Sequence, residues 1–310
     1  FSEDRLCFGE IPSGLSRTWS HSAFLDNHTI EYAQLYCNGM SLTEVCPEHL
    51  NEKWETVRNR LRAHHRSLLT SKIDLEEHCF YDMVPEKFLY DFCEVKDKIT
   101  SWVFQNYERP DNYDFLRALC VLTSDISSHE LKLNFQSLNN MRHKSKIRDF
   151  IKKYSGKPQY CRYNVFGTKT GRLTTMPNSF PILTMPKDYR RIIEPSNDWF
   201  LELDYNAAEL RTVLALSGKE QPEKDIHEWN VDNIFKGKLT RDEAKTNIFA
   251  WLYGSNNLST IDGDITKTLS EVYRKEEIVR QHWTGTHVTT RFGRTIPSDN
   301  HHALSYIIQS

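Results

Sequence analysis

Four groups of residues have types and spacings suited to phosphate chemistry. The first is Leu203-Asp204-Tyr205-Asn206-Ala207-Ala208-Glu209-Leu210-Arg211, where a carboxylate follows an apolar run and precedes a helical pattern. A hard cation such as Mg²⁺ takes oxygen ligands: one or two carboxylates, a backbone carbonyl and substrate phosphates. Asp204 at such a junction suits that role, but by position alone an ordinary helix N-cap is the favoured reading. The second group is Arg241, Lys245, Phe249 and Tyr253, spaced by four. Four residues are slightly more than one helical turn, so the set forms a stripe about 18 Å long that runs cation, cation, ring, ring. The cations could hold phosphates while the rings meet sugar and base. The other reading is a half-buried helix whose basic side chains reach to solvent. The third group, Thr168-Lys169-Thr170-Gly171-Arg172-Leu173, is a short loop with two cations, a phosphate clamp of low specificity when taken alone. The fourth is a basic stretch, Arg142, His143, Lys144, Lys146, Arg148, Lys152, Lys153 and Lys157, opposed only by Asp149. It is either a solvated helix face or a contact with phosphate backbone.

The elements that must position these groups follow from periodicity. Residues 1–50 have little. A polar helix is expected from about Glu48 to Ser71, and Pro85 opens another. In it Phe88, Phe92, Val95, Ile99 and Trp102 share one face. Glu108-Arg109-Pro110-Asp111 breaks the pattern, and Tyr113, Leu116, Leu119 and Cys120 resume it. Such stripes read as helix–helix core. Residues 160–166 alternate as a strand does. Gly167 to Pro186 has the composition of a loop. Trp199 to Leu203 reads as a short apolar strand leading into Asp204. Helices are expected at Ala207–Leu216, at about Thr240–Tyr253 and at Ile265–Trp283. A hairpin is expected around Gly293 in Arg291–Ile296.

The chain has 310 residues and a net charge of −2. That balance excludes nothing, because a nucleic-acid binder needs a local basic surface and not a basic average. No apolar run is long enough to span a bilayer, so no membrane partner is expected. Nothing reads as an export signal. The seven scattered cysteines contain no C-x-x-C pair, which suits a reducing, cytoplasmic setting.

The motifs occur in a familiar order. Thr170-Gly171-Arg172-Leu173 precedes Asp204-Tyr205-x-x-x-Glu209-Leu210-Arg211, then Asp225-Ile226-His227, then Arg241-x-x-x-Lys245-x-x-x-Phe249-x-x-x-Tyr253-Gly254, then a helix ending in Gln309. Over roughly residues 160–310 the chain resembles family A, DNA polymerase I type, DNA polymerases. The resemblance implies an α+β, mostly helical fold with the right-hand architecture of that family. Residues 1–159 would be a linker and thumb-like helical region, and 160–220 the first part of a palm with an antiparallel sheet. Residues 221–290 would be helical fingers, and 291–310 a return to the palm. A phage source, and hence the cytoplasm of a host, is expected from the compact N-terminal region and the motif variants.

The resemblance further implies template-directed DNA synthesis. A primer 3′-hydroxyl would attack the α-phosphorus of a deoxynucleoside triphosphate (dNTP), releasing pyrophosphate. Two Mg²⁺ ions about 4 Å apart would assist. Asp204 and the Tyr205 carbonyl would be metal ligands. His227, Arg241 and Lys245 would neutralise the triphosphate, with Lys245 also protonating the leaving group. Phe249 would pack on the sugar and Tyr253 would close the pocket. Glu209 would pair with Tyr253 and crowd a 2′-hydroxyl. Lys169, Thr170, Arg172, Arg211 and Gln309 would contact primer–template, and Arg142, Lys144 and Lys146 its phosphates. No processivity factor is identifiable. Ser305 stands where the family usually has Asn, His301 where it often has Arg, and Asp242-Glu243 where a second basic residue is frequent. The family's His-Asp-Glu motif, with the second metal-bridging carboxylate, would lie beyond Ser310, so residues 1–310 are not expected to extend a primer by themselves. The rival readings are a single-subunit RNA polymerase, a catalytically inactive DNA-binding module and a metal-dependent nuclease.

Overall fold

The computed structural model describes residues 1–9, 11–25, 28–75, 77–254 and 263–310. The chain is mostly helical with a few two- and three-residue strands. It divides into two compact units. One comprises residues 1–130 and 160–165, the other 131–159 and 166–310. The contacts therefore group residues 131–159, with the basic stretch, alongside the second half and not with the expected N-terminal region.

In the first unit, β1 (Arg17–Thr18) pairs in parallel with β2 (Glu31–Tyr32), which runs directly into α1 (Ala33–Tyr36). Helices α2 (Glu48–Thr70) and α3 (Glu86–Asn106) follow, within a residue or two of expectation, and α4 (Tyr113–Ser128) starts at Tyr113 and runs eight residues past Cys120. Their apolar stripes form a core in which Val95, Ile99 and Val103 of α3 meet Trp54 and Val57 of α2. The strand expected over 160–166 contracts to β3 (Tyr163–Asn164) and a single bridge from Tyr160 to Glu130.

The second unit contains α5 (Ser145–Tyr154), β4 (Thr174–Thr175), α6 (Ala208–Leu216), α7 (Ile226–Asn233), α8 (Arg241–Leu252), α9 (Gly263–Tyr273), α10 (Lys275–His282), β5 (His287–Thr289), β6 (Thr295–Pro297) and α11 (Asn300–Gln309). One apolar core joins α6 to α11. Leu210 and Val213, Ile226, Ile248 and Trp251, Tyr273, and Ile307 bring five of these helices together. Within it the Tyr273 hydroxyl donates to Asn230 Oδ1 at 2.8 Å, a buried bond between α9 and α7. The single helix expected over 265–283 is two, because Arg274 takes a left-handed conformation (φ 44°) between α9 and α10. The hairpin is real. β5 and β6 pair antiparallel through a tight turn in which Gly293 N–H donates to the Thr290 carbonyl at 3.0 Å.

One expected element is absent altogether. The strand Trp199–Leu203 does not form, and no antiparallel sheet carries Asp204. Trp199 and Leu203 are 83% and 82% exposed, and Phe200, Leu201 and Tyr205 are exposed as well. A strand is stable only when its N–H and C=O groups meet a neighbouring strand. None of the described strands lies beside this segment. β-propensity alone cannot hold it.

Candidate functional site

The best-defined polar constellation draws one side chain from each of four elements of the second unit. Glu209 lies in the first turn of α6, Tyr253 at the C-cap of α8, Gln309 at the end of α11, and Arg172 in the loop after residue 167. The Tyr253 hydroxyl donates to Glu209 Oε2 at 2.6 Å. Gln309 Nε2 donates to Glu209 Oε1 at 3.0 Å and to the Tyr253 hydroxyl at 3.1 Å. Arg172 donates to Glu209 Oε1 at 2.8 Å. The expected Glu209–Tyr253 pair is thus present. Glu209 also holds Arg172 and Gln309, both of which the sequence pointed towards primer–template. Burial, followed by the neighbouring carboxylate, raises the pKa of Tyr253, so its hydroxyl keeps its proton and donates.

The stripe on α8 forms as expected. Thr240 and Glu243 make a capping box. Glu243 Oε2 accepts from Thr240 N–H at 2.8 Å, and the Thr240 hydroxyl accepts from Glu243 N–H at 3.4 Å. The acid that departs from the family pattern therefore starts the helix. Trp251 turns into the core, where Lys275 lies 4.1 Å over its ring. Phe249 stacks on Tyr253, with ring centroids 6.1 Å apart and planes 13° from parallel. The His227 ring lies 6.1 Å from that of Phe249, centroid to centroid, tilted by 50°.

The cationic end of the stripe is less free than its spacing implied. Arg241 is bound by Asp225 through both oxygens, at 2.8 and 3.2 Å. Asp225 also accepts from Asn206 at 2.7 Å and caps α7 through the N–H groups of His227 and Glu228. These donors, Arg241 first, hold its carboxyl well below the usual carboxylate range. Lys245 is exposed and has no ion-pair or hydrogen-bond partner among the described residues. His227 is 3% exposed, and its Nδ1 has no hydrogen-bond partner. Burial lowers its pKa, and Arg241 and Lys245 act in the same direction against Asp225.

Asp204 and Tyr205 are not where the sequence placed them. Asp204 lies on the exposed segment that fails to form a strand, with no ion pair among the described residues. It is not a helix cap either. Ala207 precedes α6, in a left-handed conformation (φ 48°) with no side-chain cap bond. No three His, Cys, Asp or Glu side chains among the described residues gather as a metal site. Asp204 and the Tyr205 carbonyl are oxygen donors suited to Mg²⁺.

Arg211 makes bonds within the chain. Its guanidinium donates to the carbonyls of Asn206 (3.0 Å), Pro222 (3.0 Å) and Lys224 (3.2 Å), which closes the 217–225 loop. Lys169, Thr170 and Arg172 do share one loop, in which the Thr168 hydroxyl donates to the Arg172 carbonyl at 3.0 Å. The sequence pattern did not single out Arg294, which donates to the Lys169 carbonyl at 3.4 Å. The only hint was its place at the foot of a hairpin. Arg142, Lys144 and Lys146 are exposed at the start of α5, with Ile147 buried behind them. Arg148, by contrast, turns back onto the carbonyls of Arg142 and His143.

Behind Tyr253 a cavity of about 430 Å³ opens between the end of α8, α10 and the start of α11. Trp283 and Leu304 line it, with Lys275, Arg280 and His301. Neither Asp204 nor Lys245 borders it. No family model and no curated protein matches the chain.

Proposed function

We propose that this chain is the nucleotide-handling part of a template-directed DNA polymerase of the DNA polymerase I type. The carrying observation is the convergence of four motif residues, Arg172, Glu209, Tyr253 and Gln309, into one hydrogen-bonded cluster beside the stripe of α8. They come from four elements up to 137 positions apart in sequence, counted from Arg172 to Gln309 (309 less 172). A second observation supports the same reading. The buried His227 Nδ1 is left without a partner at the cationic end of that stripe. An orphaned buried polar atom costs stability unless something else satisfies it.

In this reading Lys245 and His227 contact the triphosphate, and Arg241 joins them by exchanging Asp225 for a phosphate. Phe249 packs on the deoxyribose. Glu209, fixed by three donors, fills the space a 2′-hydroxyl needs. Lys245 gives its proton to the departing pyrophosphate. Arg172 and Gln309 read the primer end. Asp204 and the Tyr205 carbonyl would hold Mg²⁺, which when bound neutralises phosphate charge and activates the primer hydroxyl. The exposure of Asp204, on a segment outside any described strand, favours one competing reading, a DNA-binding module without catalysis.

Binding of a fluorescent dNTP in Mg²⁺ buffer separates the two readings. The chain should bind the deoxynucleotide and discriminate against the ribonucleotide. Lys245→Ala should weaken binding about tenfold, the worth of one charge-assisted contact, and Glu209→Ala should erase the sugar preference. Equal binding of both sugars, or indifference to Lys245→Ala, would remove the polymerase assignment.

A further inference from the structure

Arg172 pairs with Glu209 from a loop that touches the β5–β6 hairpin. Gly171 has φ 77°, a conformation that side chains rarely adopt. The place a Cβ would occupy on Gly171 is 2.6 to 2.7 Å from Nη1, Nη2 and Cζ of Arg294. Three near-equal distances mean that the flat face of the guanidinium lies against the glycine. Nη1 donates to the Lys169 carbonyl at 3.4 Å. Arg294 is itself fixed at the end of the β5–β6 turn, where its N–H donates to the Thr290 hydroxyl at 3.2 Å and its carbonyl accepts from Thr290 N–H at 2.9 Å. Thr290 is buried. The loop and hairpin are thus joined by one planar cation set against one missing side chain.

We infer that Arg294 is a positioning residue. By packing on Gly171 it sets the Thr168–Arg172 loop so that Arg172 points at Glu209 and, on the polymerase reading above, at the primer end. The inference rests on that reading for its ligand but not for its geometry, so two measurements are needed. The first is amide hydrogen exchange in the free chain. Arg294→Ala and Gly171→Ala should each raise exchange at the Gly171 amide, which donates to the Thr168 carbonyl at 3.2 Å. Combined, they should raise it no further, because the added methyl displaces the same guanidinium. Unchanged exchange in Arg294→Ala would overturn the proposal whatever the protein binds.

The second measurement compares affinity for duplex DNA with a recessed 3′ end against blunt duplex of the same length. Arg294→Ala should lower the recessed-end preference about tenfold, as the loss of one charge-assisted hydrogen bond would, and should add nothing in an Arg172→Ala background. Arg294→Lys keeps the charge but not the planar face, and should behave like Arg294→Ala. Rescue by lysine, or an equal loss on blunt duplex, would make Arg294 a plain phosphate contact and overturn the positioning role. A wild-type chain without recessed-end preference would instead remove the polymerase reading and this ligand with it, leaving the exchange result to judge the geometry.

Discussion

The Asp225 carboxylate does three jobs at once: it accepts Arg241 and Asn206, and it caps α7. Asp225→Asn keeps a capping oxygen and removes the charge. It should free Arg241 and raise the affinity for inorganic triphosphate severalfold, read by titration calorimetry, and lower the thermal midpoint, because a carboxylate that its partners hold below the usual range stabilises the folded chain. A fall in affinity would mean that Arg241 needs Asp225 to be oriented. His227 makes a complementary prediction in pH. Burial keeps its folded pKa below the ordinary value of about 6.5. As pH falls through that value the unfolded chain takes up the proton first, so stability is lost from about pH 6.5 down to the folded pKa and is flat below it. Burial is the main cause; Asp225 and Asp242 oppose it, and Arg241 and Lys245 add to it. His227→Leu should therefore flatten the stability profile in that window, measured by urea unfolding at stepped pH. An unchanged slope would assign the effect to other histidines.

At the scale of elements, α8 is a helix with a strong start and a divided surface. Thr240→Ala removes one half of the capping box and should cost about 1 kcal/mol, whereas Ile248→Ala, fully buried between α7 and its neighbours, should cost about 2 to 5 kcal/mol. Chemical denaturation separates the two by their midpoints. The segment 199–205 behaves in the opposite way. Replacing Leu201 and Leu203 together with serine should change stability by less than about 0.5 kcal/mol each, since neither is buried, and should reduce self-association in sedimentation. A large loss of stability would show that the segment packs in solution.

At the scale of the whole molecule, two units with separate cores carry different shares of the chemistry. The Glu209 cluster, the α8 stripe, the Arg294 contact and the basic start of α5 all belong to the second. No described helix of either unit is long and apolar enough to cross a membrane. Much of this was legible in the order of residues. Helices α2, α3, α4, α6 and α8 follow from 3.6-residue periodicity, because helical hydrogen bonds are local and need no distant partner; α7 was not visible in it, and the one helix expected over 265–283 is two. The Arg241–Tyr253 stripe is legible for the same reason. The Trp199–Leu203 strand was not, since a strand's hydrogen bonds lie in another part of the chain. Nor could spacing show that Asp225 binds Arg241, that Arg211 is spent on loop carbonyls, or that Arg294 rests on Gly171. These partnerships link residues between 5 and 123 positions apart. The sequence by itself determined which residues sit on which helical face; only the packing of α6, α7, α8 and α11 with the hairpin decided which charges meet, because an ion pair depends on a distance in space that local periodicity does not contain.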